Sequence, residues 1–218
     1  NQMFMYASSL GISKKLNRSL LVDNETAYLS KKNISQYGLN NFKITSEIAS
    51  NNYKFLGTKG YIKRKILKKI DIFKTNKNFF TECKDNYKLT EYNSEIFTKN
   101  FSNTIYLEGY FETQKYFIDI KDEIINEFNF KDAEKYKKSP FYNQLNQENS
   151  VGICIRQNRF EEGVGKKNNV ENLTKSANFS KEQITYINKS IKFFKSKINN
   201  PIFYLWSNDF SELDNSLF

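Results

Sequence analysis

The chain has 218 residues, of which 39% are hydrophobic, with 20 Phe and 14 Tyr, and a formal net charge of +10; this is enough for one large domain or two small ones, each with a core. Histidine is absent and only two cysteines occur, Cys83 and Cys154, which excludes Ser-His-Asp and Cys-His catalysis, His-based metal sites and a disulfide framework, and points to a reducing compartment. No two Asp residues are spaced D-x-D, so a carboxylate-held metal of the usual nucleotide-sugar kind lacks its ligands, and no apolar run approaches the roughly 20 residues of a membrane span.

Along the chain, residues 3–16 read as a helix. Met3, Phe4, Ala7, Leu10 and Gly11 recur near a 3.6 period, and Lys14-Lys15 suit the negative end of the dipole. SLLVD (19–23) is short and apolar and reads as a buried strand. A helix feeding a buried strand is the second half of a βαβ unit, whose first strand is expected before Asn1. Residues 24–100 have weak periodicity, except 61–73, where Ile62, Ile66, Ile70 and Phe73 predict an inward helical stripe with a solvated Lys face. NTIYLEGYF (103–111) predicts a strand and a turn at Gly109. Residues 114–130 predict an amphipathic helix with Phe117, Ile120, Ile124 and Phe128 on one face.

The polar, Pro-containing stretch 131–149 is a candidate domain boundary. SVGICIR (150–156) is the clearest strand. Ser180 and Gln183 match a capping box opening a helix to about Lys197, with Ile184, Ile187, Ile191 and Phe194 inward. Pro201 ends that helix, and IFYLWS (202–207) is a second buried strand. Strand, helix, strand is the first half of a Rossmann-like domain.

The positive charge fits nucleic acid, an anionic membrane surface or a phosphate-bearing ligand. Lys is spread along the chain, however, and Asn, Ile, Phe and Tyr are enriched with it, as in AT-rich coding sequence; no nucleic-acid partner is expected. In open α/β sheets, ligands bind beyond the carboxyl ends of the strands. That places a candidate site at Arg156–Arg159 and Ser207–Asp209. Arg156 can hold a diphosphate through its planar fork, with a surface salt bridge as the alternative. Asn208 and Asp209 can accept hydrogen bonds from a ribose or base, or cap the next helix. Asn1 and Gln2 lead into the first helix, where backbone amides favour an anion; capping by Asn1 is the alternative.

Four blocks carry a resemblance. NQMFMYASSLGISKKLNRSLLVD resembles the GGxGNQMFQYAxGxxLAxxxxxPLxLD block of the bacterial alpha-1,2-fucosyltransferases, glycosyltransferase family eleven. YLEGYFETQKYFIDIKDEI is similar to their xGYFQSxxYF block, SVGICIRQNRF to VxVHIRRGDY, and PIFYLWSNDFSEL to xFxxFSDDxxW. The resemblance implies an inverting, metal-independent transfer of L-fucose from GDP-fucose to the 2-hydroxyl of a galactoside, with no cofactor beyond that donor. It implies a GT-B-like α/β fold of two Rossmann-like domains: an acceptor-side domain over 1–140, and the start of a nucleotide-sugar-binding domain over 141–218, the C-terminal one truncated. Arg156 matches the first Arg of HxRRxD and would hold the diphosphate. Cys154 stands at the His position, Asn208 and Asp209 on the paired acids that would meet guanosine, and Asn1 and Gln2 on the glycine loop, whose glycines are missing. Gly109, Tyr110 and Phe111 fall on a block of mainly structural role.

The sequence departs from the family pattern at Gln157 for the second Arg, Asn158 for Gly and Arg159 for Asp; Phe160 keeps the aromatic position. Glu161 and Glu162 are the nearest carboxylates to serve as catalytic base. A catalytically impaired sugar-nucleotide-binding relative is the alternative function. The resemblance also implies a cytoplasmic protein of surface-glycan metabolism, with the inner face of the bacterial membrane as a peripheral docking place. Both ends read as cut, and this piece alone is expected to be inactive.

Overall fold

The computed structural model describes residues 1–28, 36–82, 91–161, 169–211 and 213; Cys83 and Glu162 lie outside them. The chain is mixed α/β and divides into two compact units, with the break between Lys131 and Asp132, at the start of the polar 131–149 stretch.

In the first unit, α1 (Gln2–Lys15) precedes β1 (Leu21–Val22), which pairs parallel with β2 (Glu47–Ile48). Helix α2 (Gly57–Phe73) leads to β3 (Lys77–Thr81), which pairs parallel with β4 (Phe101–Glu108), and α3 (Lys121–Glu127) follows. Helix α1 is the centre of this unit. Its Tyr6, Ala7 and Leu10 pack with Leu39 and Ile124, and its Ile12 packs with Phe80, Ile96, Phe111 and Tyr116. Lys14 and Lys15 end the helix in ion pairs with Glu123 and Asp119. Gly11 lets the helix lie directly on main chain: a Cβ there would come within 2.1 Å of the Tyr116 carbonyl oxygen.

Several expectations are corrected. Met3 and Phe4 are each 43% exposed, because the buried arc of α1 is centred on Tyr6–Ser13 rather than on the first turn. The 19–23 strand shrinks to Leu21–Val22, with Leu21 exposed. The 114–130 helix is instead two single 3₁₀ turns followed by the short α3. Phe117, Ile120, Ile124 and Phe128 still reach the same core. The largest correction is α2: Ile62, Ile66, Ile70 and Phe73 all face out. The buried side carries Gly60 and Asp71, with Arg64 and Lys68 turned to Glu108 at the end of β4. Gly60 sets that choice: a Cβ there would lie 2.2 Å from the Phe55 carbonyl carbon, so this side is pressed against main chain. Asp71 accepts the main-chain N–H groups of Asn78 and Phe79 and so fixes the turn into β3.

In the second unit, α4 (Ala133–Lys137) and α5 (Pro140–Leu145) precede β5 (Ser150–Ile155), α6 (Val170–Lys197) and β6 (Ile202–Ser207). β5 and β6 are parallel and in continuous register from Ser150↔Ile202 to Ile155↔Ser207. Ile187 and Ile191 of α6 cover one sheet face with Ile153, Ile155, Phe203 and Leu205. The expected cap at Ser180 is corrected: the cap of α6 lies eleven residues earlier, where the Asn169 side chain accepts from the N–H groups of Glu171 and Asn172.

Gly11→Ala is expected to cost about 1–3 kcal/mol by forcing α1 off the Tyr116–Phe117 main chain. Gly38→Ala, whose Cβ would meet nothing closer than 3.9 Å, should melt within a degree or two of wild type. Tyr6 donates to the buried Glu127 carboxylate and exchanges a hydrogen bond with Ser46; burial, then the bond to Glu127, pushes its hydroxyl up to about 12. A pKa raised by folding contributes stability that is full below the ordinary tyrosine value and is lost as pH rises through the folded value. Tyr6→Phe should therefore flatten the loss of stability between pH ~10 and about 12, read from urea midpoints across that range.

Candidate functional site

Of the residues predicted from the sequence, Arg156, Glu161, Asn208 and Asp209 fall on two neighbouring loops at the carboxyl ends of β5 and β6; Cys154 is on β5, Asn1 and Gln2 are in the first unit, and Glu162 lies outside the described residues. Each loop is held by side-chain amides. The Arg156 N–H donates to Gln183 Oε1 at 3.1 Å, and Gln183 Nε2 donates back to the Arg156 carbonyl at 3.0 Å. One residue on, the Gln157 N–H donates to Asn208 Oδ1 at 2.7 Å and Asn208 Nδ2 donates to the Gln157 carbonyl at 3.0 Å. Two carboxamides thus continue the sheet's hydrogen bonding beyond its last residue, where the main-chain groups would otherwise lack partners.

Helix α6 supplies most of the grip. Ser176, Ser180 and Gln183 sit three and four residues apart, on one helix face. Ser176 Oγ accepts from the Phe160 N–H, Ser180 Oγ donates to Gln157 Oε1, and Gln183 holds Arg156. Gln157 is 4% exposed, so every polar atom it brings inside needs such a partner. Its burial shows why Ser180 and Gln183 mimic a capping box without being one: they serve the loop and not the helix end.

The loop bends at Asn158, which has φ of 55°. Glycine and asparagine are the residues that take this conformation most readily. Asn158 stands where the family pattern has Gly, so that departure preserves the backbone path. Asn158 Nδ2 reaches Asp209 Oδ2 at 3.5 Å, and its carbonyl accepts from the Glu161 N–H. The Arg159 guanidinium lies over the rings of Phe179 and Phe160, 4.8 and 5.8 Å from their centroids. Such stacking gives the cation a place that needs no carboxylate.

Asp209 accepts from the Ser211 N–H and Oγ, which together hold its carboxyl below the usual range. It therefore organises the turn after β6 while half-buried; the helix that the capping alternative places next falls largely outside the described residues. Asn208 has its carboxamide engaged with the Gln157 main chain. Arg156 is exposed at the loop's start, and Glu161 is half-buried at its far end. Cys154 is exposed on β5 and lines an apolar cleft of about 340 Å³ between that strand and α6, together with Tyr186 and Phe194. Arg156, Asn208 and Asp209 are not part of that cleft, which runs along the strand and not beyond its end.

In the first unit, the Asn1 side chain makes no capping bond. Gln2 again uses its carboxamide as a clamp, accepting from the Gly38 N–H and donating to the Gln36 carbonyl. Sequence reasoning missed Gln157, Ser176, Ser180 and Gln183 as positioning groups. The signal available was the 176-180-183 spacing on a helix that also has an apolar face.

If the clamps position the loop, Gln183→Ala and Asn208→Ala should each cost about 1–2 kcal/mol of stability. They should also speed amide exchange at Arg156 and Gln157 far more than at Val151 or Ile153, as read by nuclear magnetic resonance.

No curated protein and no solved structure matches the chain significantly. A sequence profile described as Glycosyl transferase family 11 matches residues 59–213. The span takes in the loops after β5 and β6 and three of the four blocks compared above, while the opening NQMFMY block precedes it. The chain belongs to glycosyl transferase family 11 and is a glycosyltransferase.

Proposed function

We propose that this chain serves the transfer of L-fucose from GDP-fucose to the 2-hydroxyl of a galactoside, with inversion at the sugar carbon and without a metal. The observation that carries this reading is Arg156, to which the resemblance of CIRQNR to the HxRRxD block and the strand-end rule both point. It stands just past β5 on a loop clamped from two sides. A guanidinium there meets the charge that develops on the diphosphate as the sugar–phosphate bond breaks, and the clamps hold its main chain in place before substrate arrives. Asp209, half-buried on the adjacent turn with its carboxyl held below the usual range, is the acceptor for guanosine N–H groups; Asn208 supports the loop and Cys154 flanks it. In this reading the second unit is the start of the donor domain of a GT-B arrangement and the first is the acceptor side, with Asn1 and Gln2 at its leading loop.

Inversion needs a base to take the acceptor hydroxyl proton while the new bond forms opposite the departing GDP. Glu161 and Glu162 are the carboxylates assigned to it. The reaction draws on a nucleotide sugar of the cytoplasm and feeds glycan assembly.

Assays of the full-length protein with GDP-fucose and a galactoside, with the product linkage determined, test the proposal. Arg156→Ala should lower kcat/KM by roughly 100-fold or more, and Arg156→Lys should recover part of it. Another preferred donor, another linkage, or wild-type rates for Arg156→Ala would overturn it. Wild-type rates for both Glu161→Ala and Glu162→Ala would remove the base assignment alone.

The stacking of Arg159 on Phe179 and Phe160, at the position of the family's acid, favours a second reading: a sugar-nucleotide-binding relative without turnover. Calorimetric binding of GDP and GDP-fucose with no transfer would select it.

A further inference from the structure

Helix α2 is built inside out relative to its sequence pattern. Its single carboxylate, Asp71, is 7% exposed and takes up main-chain N–H groups of the next strand. Two of its cations, Arg64 and Lys68, are paired with Glu108. The outward surface is left mainly with two kinds of side chain, together with Thr58 and Tyr61, whose ring lies under the Lys65 ammonium. Ile62, Ile66 and Phe73, at 51%, 52% and 89% exposure, form a stripe that Ile70 extends. Lys59, Lys65 and Lys69 are exposed around it, and among the described residues none pairs with a carboxylate. Single exposed isoleucines are ordinary, but a continuous run of them along one helix marks a docking surface.

The occupant must offer apolar contact and negative charge together. A nucleic acid supplies the charge and has no place for three isoleucines. A second copy of the helix supplies apolar area, but sets lysines against lysines. An anionic lipid surface supplies both, and a short helix with an apolar stripe and flanking lysines is the form that lies in such an interface. The helix lies on the surface: none among the described residues is long and apolar enough to cross a membrane.

We propose that α2 is a membrane-surface helix, with Ile62, Ile66 and Phe73 entering the acyl boundary and Lys59, Lys65 and Lys69 meeting anionic headgroups. The inference is independent of the sugar donor and of the linkage formed.

Co-sedimentation of the full chain with phosphatidylcholine vesicles, with and without phosphatidylglycerol, tests it. Binding is expected only with phosphatidylglycerol, and should weaken as salt rises. The triple variant Ile62→Ser, Ile66→Ser, Phe73→Ser and the double variant Lys65→Gln, Lys69→Gln should each reduce it at least tenfold. All five positions are exposed, so circular dichroism and melting should match wild type and certify the fold. Absence of binding, equal binding to both vesicle types, or wild-type binding by either variant would overturn the proposal. So would a dimer in sedimentation that the triple variant abolishes without any vesicle binding, or binding to duplex DNA in place of vesicles.

Discussion

Four side chains hold the loop after β5 by hydrogen bonds: Ser176, Ser180 and Gln183 from one face of α6, and Asn208 from the loop after β6. A parallel strand that ends beside a ligand site has a specific difficulty. Its last main-chain groups leave the ladder, yet they must not wander if a side chain there is to meet a charged ligand. Water satisfies such groups without fixing them. A carboxamide both satisfies and fixes, because its oxygen and nitrogen match one residue's N–H and C=O at once. Each such bond is worth only about 1 kcal/mol net, so their value lies in placement more than in stability.

The first unit is held by a different constraint, close main-chain approach. Gly11 and Gly60 bring two helices to within a distance that any Cβ would forbid, and both contacts are to carbonyl or α-carbon atoms that cannot swing aside. Buried carboxylates follow the same economy of partners. Glu127 is served by the hydroxyls of Tyr6 and Thr45, and Glu82 by the N–H groups of Tyr110 and Phe111. Glu108 differs. Burial pushes its carboxyl up, but the Arg64 guanidinium and the Lys68 ammonium outweigh that and hold it below the usual value. Its contribution is therefore present above the ordinary glutamate range and lost as pH falls through the folded value.

What the sequence made legible follows from how local each signal is. Helix α1, the strands over 150–156 and 202–207 and the helix between them are patterns of near neighbours, and these elements reappear in the structure, with Met3 and Phe4 outside the buried arc of α1 and the second helix starting earlier than expected. The stripe of α2 was equally regular, but periodicity says that a helix has an apolar face and not which way it turns; Gly60 and the Glu108 pairing decided that. Ser180 and Gln183 had the spacing of a cap, while their partners lie more than twenty residues away, beyond the reach of any window. Asn158 was readable in the other direction: the family pattern has Gly there, and the left-handed φ shows why Asn is a tolerable replacement.

The clamps grip Arg156 and Gln157 by main-chain atoms, so at these two residues the path is anchored by groups that every side chain shares, while Asn158 at the left-handed bend and the buried Gln157 side chain supply what the main chain cannot. A loop fastened that way can exchange residues without being rebuilt. Compared with HxRRxD, CIRQNR differs in a buried group at 157 and in the groups at 158 and 159, with the bend and the two anchoring amides in place. Such a scaffold separates two kinds of inheritance, the path of the chain and the chemistry hung on it, and leaves the second open to drift or to new specificity.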